Sequence, residues 1–237
     1  MTISNESRAR VKGIFEPIAL AMGRAGLTPD ALTVIGFGIT VVGAILLSQQ
    51  LWLVGGIVVF LGGVFDMFDG TLARATGQVS RLGAFMDSVF DRAGEAAVYV
   101  GLIAGLGTTD SANAPIFAGA AMAGAFMVSY ARAKAEGLGF SAGSGMAAVG
   151  VMPREVRLVI LTMGLVGAGL AGTTTTVAAT GILGAGEATI PLAVVVIDVA
   201  LTLIAVGAIV TVIQRIIHVR RQARQRSTTT TTQPTSE

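Results

Sequence analysis

The chain contains no cysteine in 237 residues, and its one histidine is His218. The first absence excludes disulfides, thiolate zinc sites and cysteine nucleophiles together, and it leaves the redox compartment unread. The second argues against a zinc site. Charge is scarce as well. Asp, Glu, Lys and Arg make up 13% of the sequence against 53% apolar residues, and the mean hydropathy of +0.76 lies well above that of soluble domains. No polar stretch is long enough to bury a core of its own, so any chemistry belongs to a membrane-embedded domain. A signal peptide is not expected, because the first apolar stretch is short and is broken by Glu16 and Pro17.

What the chain has instead is apolar runs. A bilayer core about 30 Å thick needs roughly 20 helical residues, and runs of that length fall near 31–49, 52–73, 82–107, 113–136, 154–177 and 189–215. The breaks contain SQQ, ATGQVS, GTTDSANAP, EGLGFSAGSG and GILGAGEAT, all loop-like in composition. Ahead of the first run, Arg8, Arg10 and Lys12 precede Ile14, Phe15, Ile18 and Leu20, a pattern suited to a helix lying among lipid headgroups. The expectation is an all-α integral membrane protein of six transmembrane helices preceded by an N-terminal interfacial amphipathic helix. Its segments would be 1–26 (interfacial), 27–219 (membrane domain) and 220–237 (a basic, then disordered polar tail). Small-residue spacings at Gly55, Gly56, Gly62, Gly63, Gly101 and Gly105 suggest close helix contacts.

The sixteen Lys and Arg residues all fall before the first run, at the breaks after runs two and four, or after run six. The other three loops contain none. This asymmetry predicts a multi-pass protein of the cell membrane with both termini cytoplasmic.

Against that background the string DMFDGTLARATGQVSRLGAFMDSVFDR, residues 66–92, places Asp66, Asp69, Asp87 and Asp91 in one short stretch. Asp66 and Asp69 are three apart and Asp87 and Asp91 four apart, so each pair projects from one helix face. With RATGQVSR as the turn between them, the pairs can converge from adjacent antiparallel helices at the cytoplasmic surface. Carboxylates brought together without cations repel, whereas a hard divalent ion with oxygen ligands neutralises them, which points to Mg2+ or Mn2+. Metals held by carboxylates with positions left open commonly serve phosphates. Arg74 adds a planar cation, and Gly70, Ala73 and Gly83 leave room for a bulky anion, so a diphosphate site is the economical reading.

The string Asp66-x-x-Asp69-Gly70-x-x-Ala73-Arg74, then eight residues, then Gly83-x-x-x-Asp87-x-x-x-Asp91 resembles the signature of the CDP-alcohol phosphotransferase family, with every defining position occupied. That resemblance implies attack of a hydroxyl on the β-phosphorus of a CDP-linked lipid or alcohol, with release of CMP. It implies that Asp66, Asp69 and Asp87 ligate one metal, that Asp87 and Asp91 face a second, and that Asp91 is the catalytic base. It also implies contacts to the CDP moiety of CDP-diacylglycerol from Gly70, Arg74 and Ser80 and from Pro29, Asp30, Ala31 and Leu32. Proline after Thr28 equally suits a helix start.

The signature does not name the acceptor. SYARAKAEG at 129–137 and PREVRL at 153–158 place Arg132, Lys134, Arg154 and Arg157 at one membrane face. Such cations either flank spans in the ordinary way or hold a phosphorylated acceptor. Both segments are similar to those of the actinobacterial phosphatidylinositol phosphate synthases, which implies inositol phosphate; phosphatidylglycerol phosphate synthesis is the alternative. A homodimer among membrane lipids is expected, and no nucleic-acid partner. Two other classes compete. A membrane prenyltransferase would need a second acidic motif, and Glu187 and Asp198 in the second half form none. A transporter using buried carboxylates would show inverted hydropathy repeats, and none is seen.

Overall fold

A computed structural model describes residues 5–109, 111, 113–140, 146, 149–172, 175–180 and 187–230. Parts of the two glycine-rich loops expected at 136–145 and 181–189, and the end of the expected tail at 231–237, lie outside the described residues. The elements in chain order are α1 (Asn5–Arg24), α2 (Pro29–Ser48), α3 (Trp52–Thr76), α4 (Arg81–Leu106), α5 (Ala114–Gly137), α6 (Arg154–Ala171), β1 (Thr176–Thr180), β2 (Glu187–Pro191) and α7 (Leu192–Thr230).

The helices begin and end where local chemistry dictates. Thr28 caps α2 by accepting the Ala31 N–H at 3.2 Å, with Pro29 at the first helical position. Ser80 caps α4 by accepting the Gly83 N–H at 2.9 Å. Between them α3 stops at Gly77, whose φ of +70° allows the left-handed turn that returns its N–H to Ala73 O. A four-residue link, 77–80, therefore reverses the chain between the two aspartate-bearing helices.

Each expected span has its helix, with three differences. α6 ends at Ala171, short of 177, and α7 starts at Leu192, not 189. The intervening threonine- and valine-bearing stretch forms an antiparallel ribbon in which Thr176 pairs with Pro191 and Thr180 with Glu187, as β-branched residues favour. At the other end α7 runs to Thr230, so 220–230 continue the helix. Extending an existing helix needs no new nucleus, and Arg, Gln and Ala are good helix formers.

Among the described residues four helices, α2, α3, α5 and α7, are long and apolar enough to cross a membrane. α4 and α6 carry the charged residues of the site described below. Apolar side chains cover the outside of the assembly, including Ile45, Val54, Leu61, Met163, Val199, Leu203, Val206 and Ile213, an exposure that suits lipid rather than water. The packed pairs close a ring in the order α2, α4, α5, α7, α6, α3 and back to α2. Its interior is filled by Leu47, Val59, Tyr99, Leu102, Ala121, Leu165, Ile197 and Leu201, among others. Thus α2 packs against both α3 and α4 rather than leaving those two as a packed pair. α1 lies on α3, with Phe15, Ala19 and Met22 against Phe68 and Leu72; Ile18, expected on the apolar face, is exposed.

Glycine lets α2 and α4 approach. A Cβ on Gly101 would fall on the carbonyl of Ala44, and one on Gly105 on that of Leu47. Gly119 on α5 has nothing within 4 Å of such a Cβ. Replacing glycine by alanine inside a helix gains roughly 1 kcal/mol of intrinsic propensity, but forcing an atom into packed backbone costs about 1–3 kcal/mol. The clash therefore decides the sign at Gly101 and the propensity at Gly119. We expect Gly101→Ala to lower the thermal midpoint of the detergent-solubilised protein and Gly119→Ala to leave it unchanged or raise it; equal midpoints for the two would contradict the packing.

Candidate functional site

The turn at 77–80 and the intervening α2 bring the aspartates together. Carboxylate oxygens of Asp66, Asp69 and Asp87 all lie within 4.8 Å of one another. Asp69 is 6% exposed; its Oδ2 accepts from Thr33 Oγ1 of α2 at 2.5 Å and its Oδ1 accepts from the Gly70 N–H. Thr33 thus aims the deepest carboxylate. A rigid triangle of acid oxygens, one of them oriented by a hydroxyl, fits a hard divalent cation.

Asp91 is the fourth acid and sits beside this triangle. It is joined to Asp66 by one guanidinium: Arg154 Nη1, at the start of α6, lies 3.0 Å from Asp66 Oδ2 and 2.7 Å from Asp91 Oδ1. Although close, Asp91 Oδ1 has no partner in hydrogen-bond geometry. Its other oxygen receives Arg92 Nη2 at 3.3 Å.

Two of the cavities at the cluster meet at Asp87, each lined by a different set of residues. One, about 250 Å³, is lined by Pro29, Asp30, Gly70, Arg74 and Ser80, together with Thr33, Ala73, Gly83, Asp69 and Asp87. Gly83 faces Asp30 so closely that a Cβ would sit 3.4 Å from its Oδ1. Ala31 and Leu32, expected in the same set, do not line it. Leu32 is fully buried against Phe68 and Leu72, and the Ala31 N–H is taken by Thr28.

The second cavity, about 560 Å³, contains Asp87, Asp91, Arg92, Ser129, Arg132, Arg154, Arg157 and Arg215. Of the four cations expected here, three line it in different states, and Lys134 is exposed and outside the lining. Arg132 pairs with Glu136 at 2.9 Å in an exposed i,i+4 contact, worth about 0.3–0.5 kcal/mol and easily exchanged. Arg157 is different. It is 2% exposed, grips Glu95 through Nε (2.8 Å) and Nη2 (3.0 Å), and donates Nη1 to Met152 O at 3.0 Å. Breaking a buried pair costs about 3–5 kcal/mol, so Arg157 is committed to holding α6 against α4.

Sequence reasoning missed Thr33, Arg92, Glu95 and Arg215. Arg92 bridges Asp91, Glu95 (3.3 Å) and Ser129 Oγ (2.8 Å). Arg215 is 4% exposed, donating Nε to Val149 O at 3.0 Å and Nη1 to Val128 O. Thr33 and Glu95 had a signal, a polar side chain inside an apolar run; Arg92 and Arg215 were read as membrane flanks.

A family model described as CDP-alcohol phosphatidyltransferase matches residues 26–219. The chain belongs to that family. A phosphatidylinositol phosphate synthase of Streptomyces avermitilis is 32% identical over 242 residues, covering 99% of this chain and 89% of the relative. The crystal structure of Mycobacterium tuberculosis phosphatidylinositol phosphate synthase with CDP-DAG bound is 29% identical with a TM-score of 0.70, covering 87% of this chain and 93% of that one. The same enzyme in complex with manganese and citrate matches with a TM-score of 0.71 at 29% identity, over 86% of this chain and 88% of that one. A family member crystallised with manganese agrees with the acid triangle as a divalent-metal centre.

Thr33→Val keeps the shape and removes the hydroxyl that aims Asp69. We expect Mn2+ binding, followed by calorimetry or spin resonance, to weaken about ten- to a hundredfold, the usual effect of losing such an outer partner. Unaltered affinity would show that the hydroxyl does not aim the ligand.

Proposed function

We infer that the protein transfers the phosphatidyl group of CDP-diacylglycerol to inositol phosphate, releasing CMP and forming phosphatidylinositol phosphate. The observation that carries this reading is the pair of cavities sharing Asp87: a polar slot with Arg74 on one side and an arginine-lined cleft with Asp91 on the other. Donor and acceptor would approach the same carboxylates from opposite sides. The names of the relatives supply the substrates, since those proteins are phosphatidylinositol phosphate synthases, one of them with CDP-DAG bound.

In this reading Asp66, Asp69 and Asp87 hold one divalent ion, and Asp87 with Asp91 faces a second, Mg2+ or Mn2+ in each case. Such ions neutralise the diphosphate and the charge that develops on departing CMP. Pro29, Asp30, Gly70, Arg74 and Ser80 receive the CDP moiety, with Arg74 as a planar fork for phosphate oxygens. The acceptor's phosphate lies in the cleft against Arg132 and Arg154, with Lys134 at its outer edge. Asp91, on the acceptor side, takes the hydroxyl proton as the oxygen bonds to the β-phosphorus and the bond to CMP breaks. Arg154, bridging Asp66 and Asp91, keeps that base aimed.

The same reading places six helices across the cell membrane, with α4 and α6 crossing by virtue of their places in the ring, and both termini and the site at the cytoplasmic face. α1 lies along that face as an interfacial segment, 27–219 form the membrane domain, and a homodimer is the assembly. The basic residues at that one face support the orientation.

The test is CMP release from CDP-diacylglycerol with inositol phosphate, in protein reconstituted into liposomes. We expect activity to vanish in chelator and to return with Mg2+ or Mn2+, but poorly with Ca2+, whose larger radius and looser coordination orient a diphosphate less strictly. Full turnover in excess chelator would refute the metal assignment. Asp91→Asn should lose about two to four orders of magnitude in kcat while keeping CDP-diacylglycerol binding. Arg154→Gln should lower kcat/KM for inositol phosphate by about one to two orders of magnitude. Equal use of unphosphorylated inositol would exclude a phosphate-binding cleft.

A further inference from the structure

Arg154 is the first residue of α6, and the backbone just before it is held from two sides. The Met152 N–H donates to Thr211 Oγ1 of α7 at 2.9 Å, while the Met152 carbonyl accepts from Arg157 Nη1 at 3.0 Å. Both polar groups of a single peptide residue are therefore tied to different helices. Thr211 is fully buried, and its hydroxyl proton goes to Gly207 O at 2.8 Å. With the proton so placed, a lone pair of Oγ1 is left to face Met152.

The segment fits this threonine closely. Gly150 adopts φ +121°, a conformation open to glycine, and a Cβ there would collide with the Thr211 side chain. From Met152 the path to the arginine is short and stiff: Pro153, with φ −66° and ψ 170°, and then Arg154. At its far end the guanidinium meets Asp66 at 3.0 Å and Asp91 at 2.7 Å.

We propose that Thr211 is a positioning residue for the acceptor: by anchoring the Met152 peptide to α7 it sets where Arg154 stands between the aspartates and the cleft. It touches no substrate and acts through Arg154. The proposal rests on the reading that Arg154 binds the acceptor's phosphate.

Losing the hydroxyl leaves the Met152 N–H buried without its partner and frees the segment to shift. A shift of well under an ångström leaves the diphosphate slot alone, because no residue of that slot lies on α6 or α7. The effect falls mainly on the acceptor, reaching the donor side only through the Arg154–Asp66 pair, and that asymmetry sets a positioning role apart from a general structural one.

The experiment compares wild type with Thr211→Val, Thr211→Ser, Arg154→Gln and the double variant Thr211→Val/Arg154→Gln, all as the full chain in liposomes. We expect Thr211→Val to raise the KM for inositol phosphate about three- to tenfold and that for CDP-diacylglycerol less than about twofold. Thr211→Ser, which keeps the hydroxyl, should restore wild-type values. In the Arg154→Gln background, Thr211→Val should add less than about a further twofold, because the two residues act through one contact. Losses equal for both substrates, or fully additive in the double variant, overturn the proposal. If Arg154→Gln raises the acceptor KM and Thr211→Val does not, the positioning role alone fails. If Arg154→Gln changes nothing at the acceptor, the reading of Arg154 fails first and the proposal falls with it. Should Thr211→Val not fold, Thr211→Ala, also without the hydroxyl and smaller, takes its place in the same comparison.

Discussion

The structure turns on one constraint: carboxylates gathered at the end of an apolar ring must be compensated in place. Isolated charges in such surroundings are costly, and the chain meets the cost with fixed cations and hydroxyls. Arg154 spans Asp66 and Asp91, Thr33 donates to Asp69, and Arg92 touches Asp91, Glu95 and Ser129. Thr33 comes from α2 and Arg154 from α6, so satisfying the acids also ties α2 to α3 and α6 to both α3 and α4. Buried polar networks of this kind are costly when half satisfied and rigid when complete.

Rigidity is spread unevenly, and that unevenness suits two substrates. The slot on the α2–α3–α4 side is built from a capped helix start, a left-handed glycine turn and a second capped start. Backbone geometry sets its shape. The cleft on the other side is shaped by side chains, some locked, as Arg157 is by Glu95, and some exposed, as Arg132 is. A binding surface of long cations can admit a polyol phosphate in a defined pose only if most of those cations are already held, since ordering a free arginine costs up to about 2 kcal/mol of rotamer entropy.

Much of this was legible in the sequence, because helices translate spacing into facing. Asp66 and Asp69, then Asp87 and Asp91, could only project in pairs, and the apolar runs located α2 to α7. Ring order was not legible. Nothing in the runs said that α2 would lie between α3 and α4, because lipid-facing and helix-facing residues are equally apolar. For the same reason the cations of α6 and α7 could not be sorted: Arg157 finds Glu95 across 62 positions of sequence, and Arg215 turns inward to backbone carbonyls instead of outward to headgroups. The strand pair after α6 straddled the expected ends of two spans and the loop between them, and the helical continuation past Arg220 lay inside a stretch whose polarity suited a tail.

The ring closes out of chain order, with α7 seated between α5 and α6. During synthesis the aspartates of α3 and α4 therefore emerge early, and Arg154 follows with α6. Yet Met152 and Val149, which precede Arg154, have their anchors on Thr211 and Arg215 of the final helix. A nascent chain lacking its last helix has the four site aspartates and the bridging arginine, but lacks the two α7 contacts that anchor the segment before that arginine. The cleft side of the aspartate cluster is thereby finished by the last helix to be made, since that helix supplies both anchors.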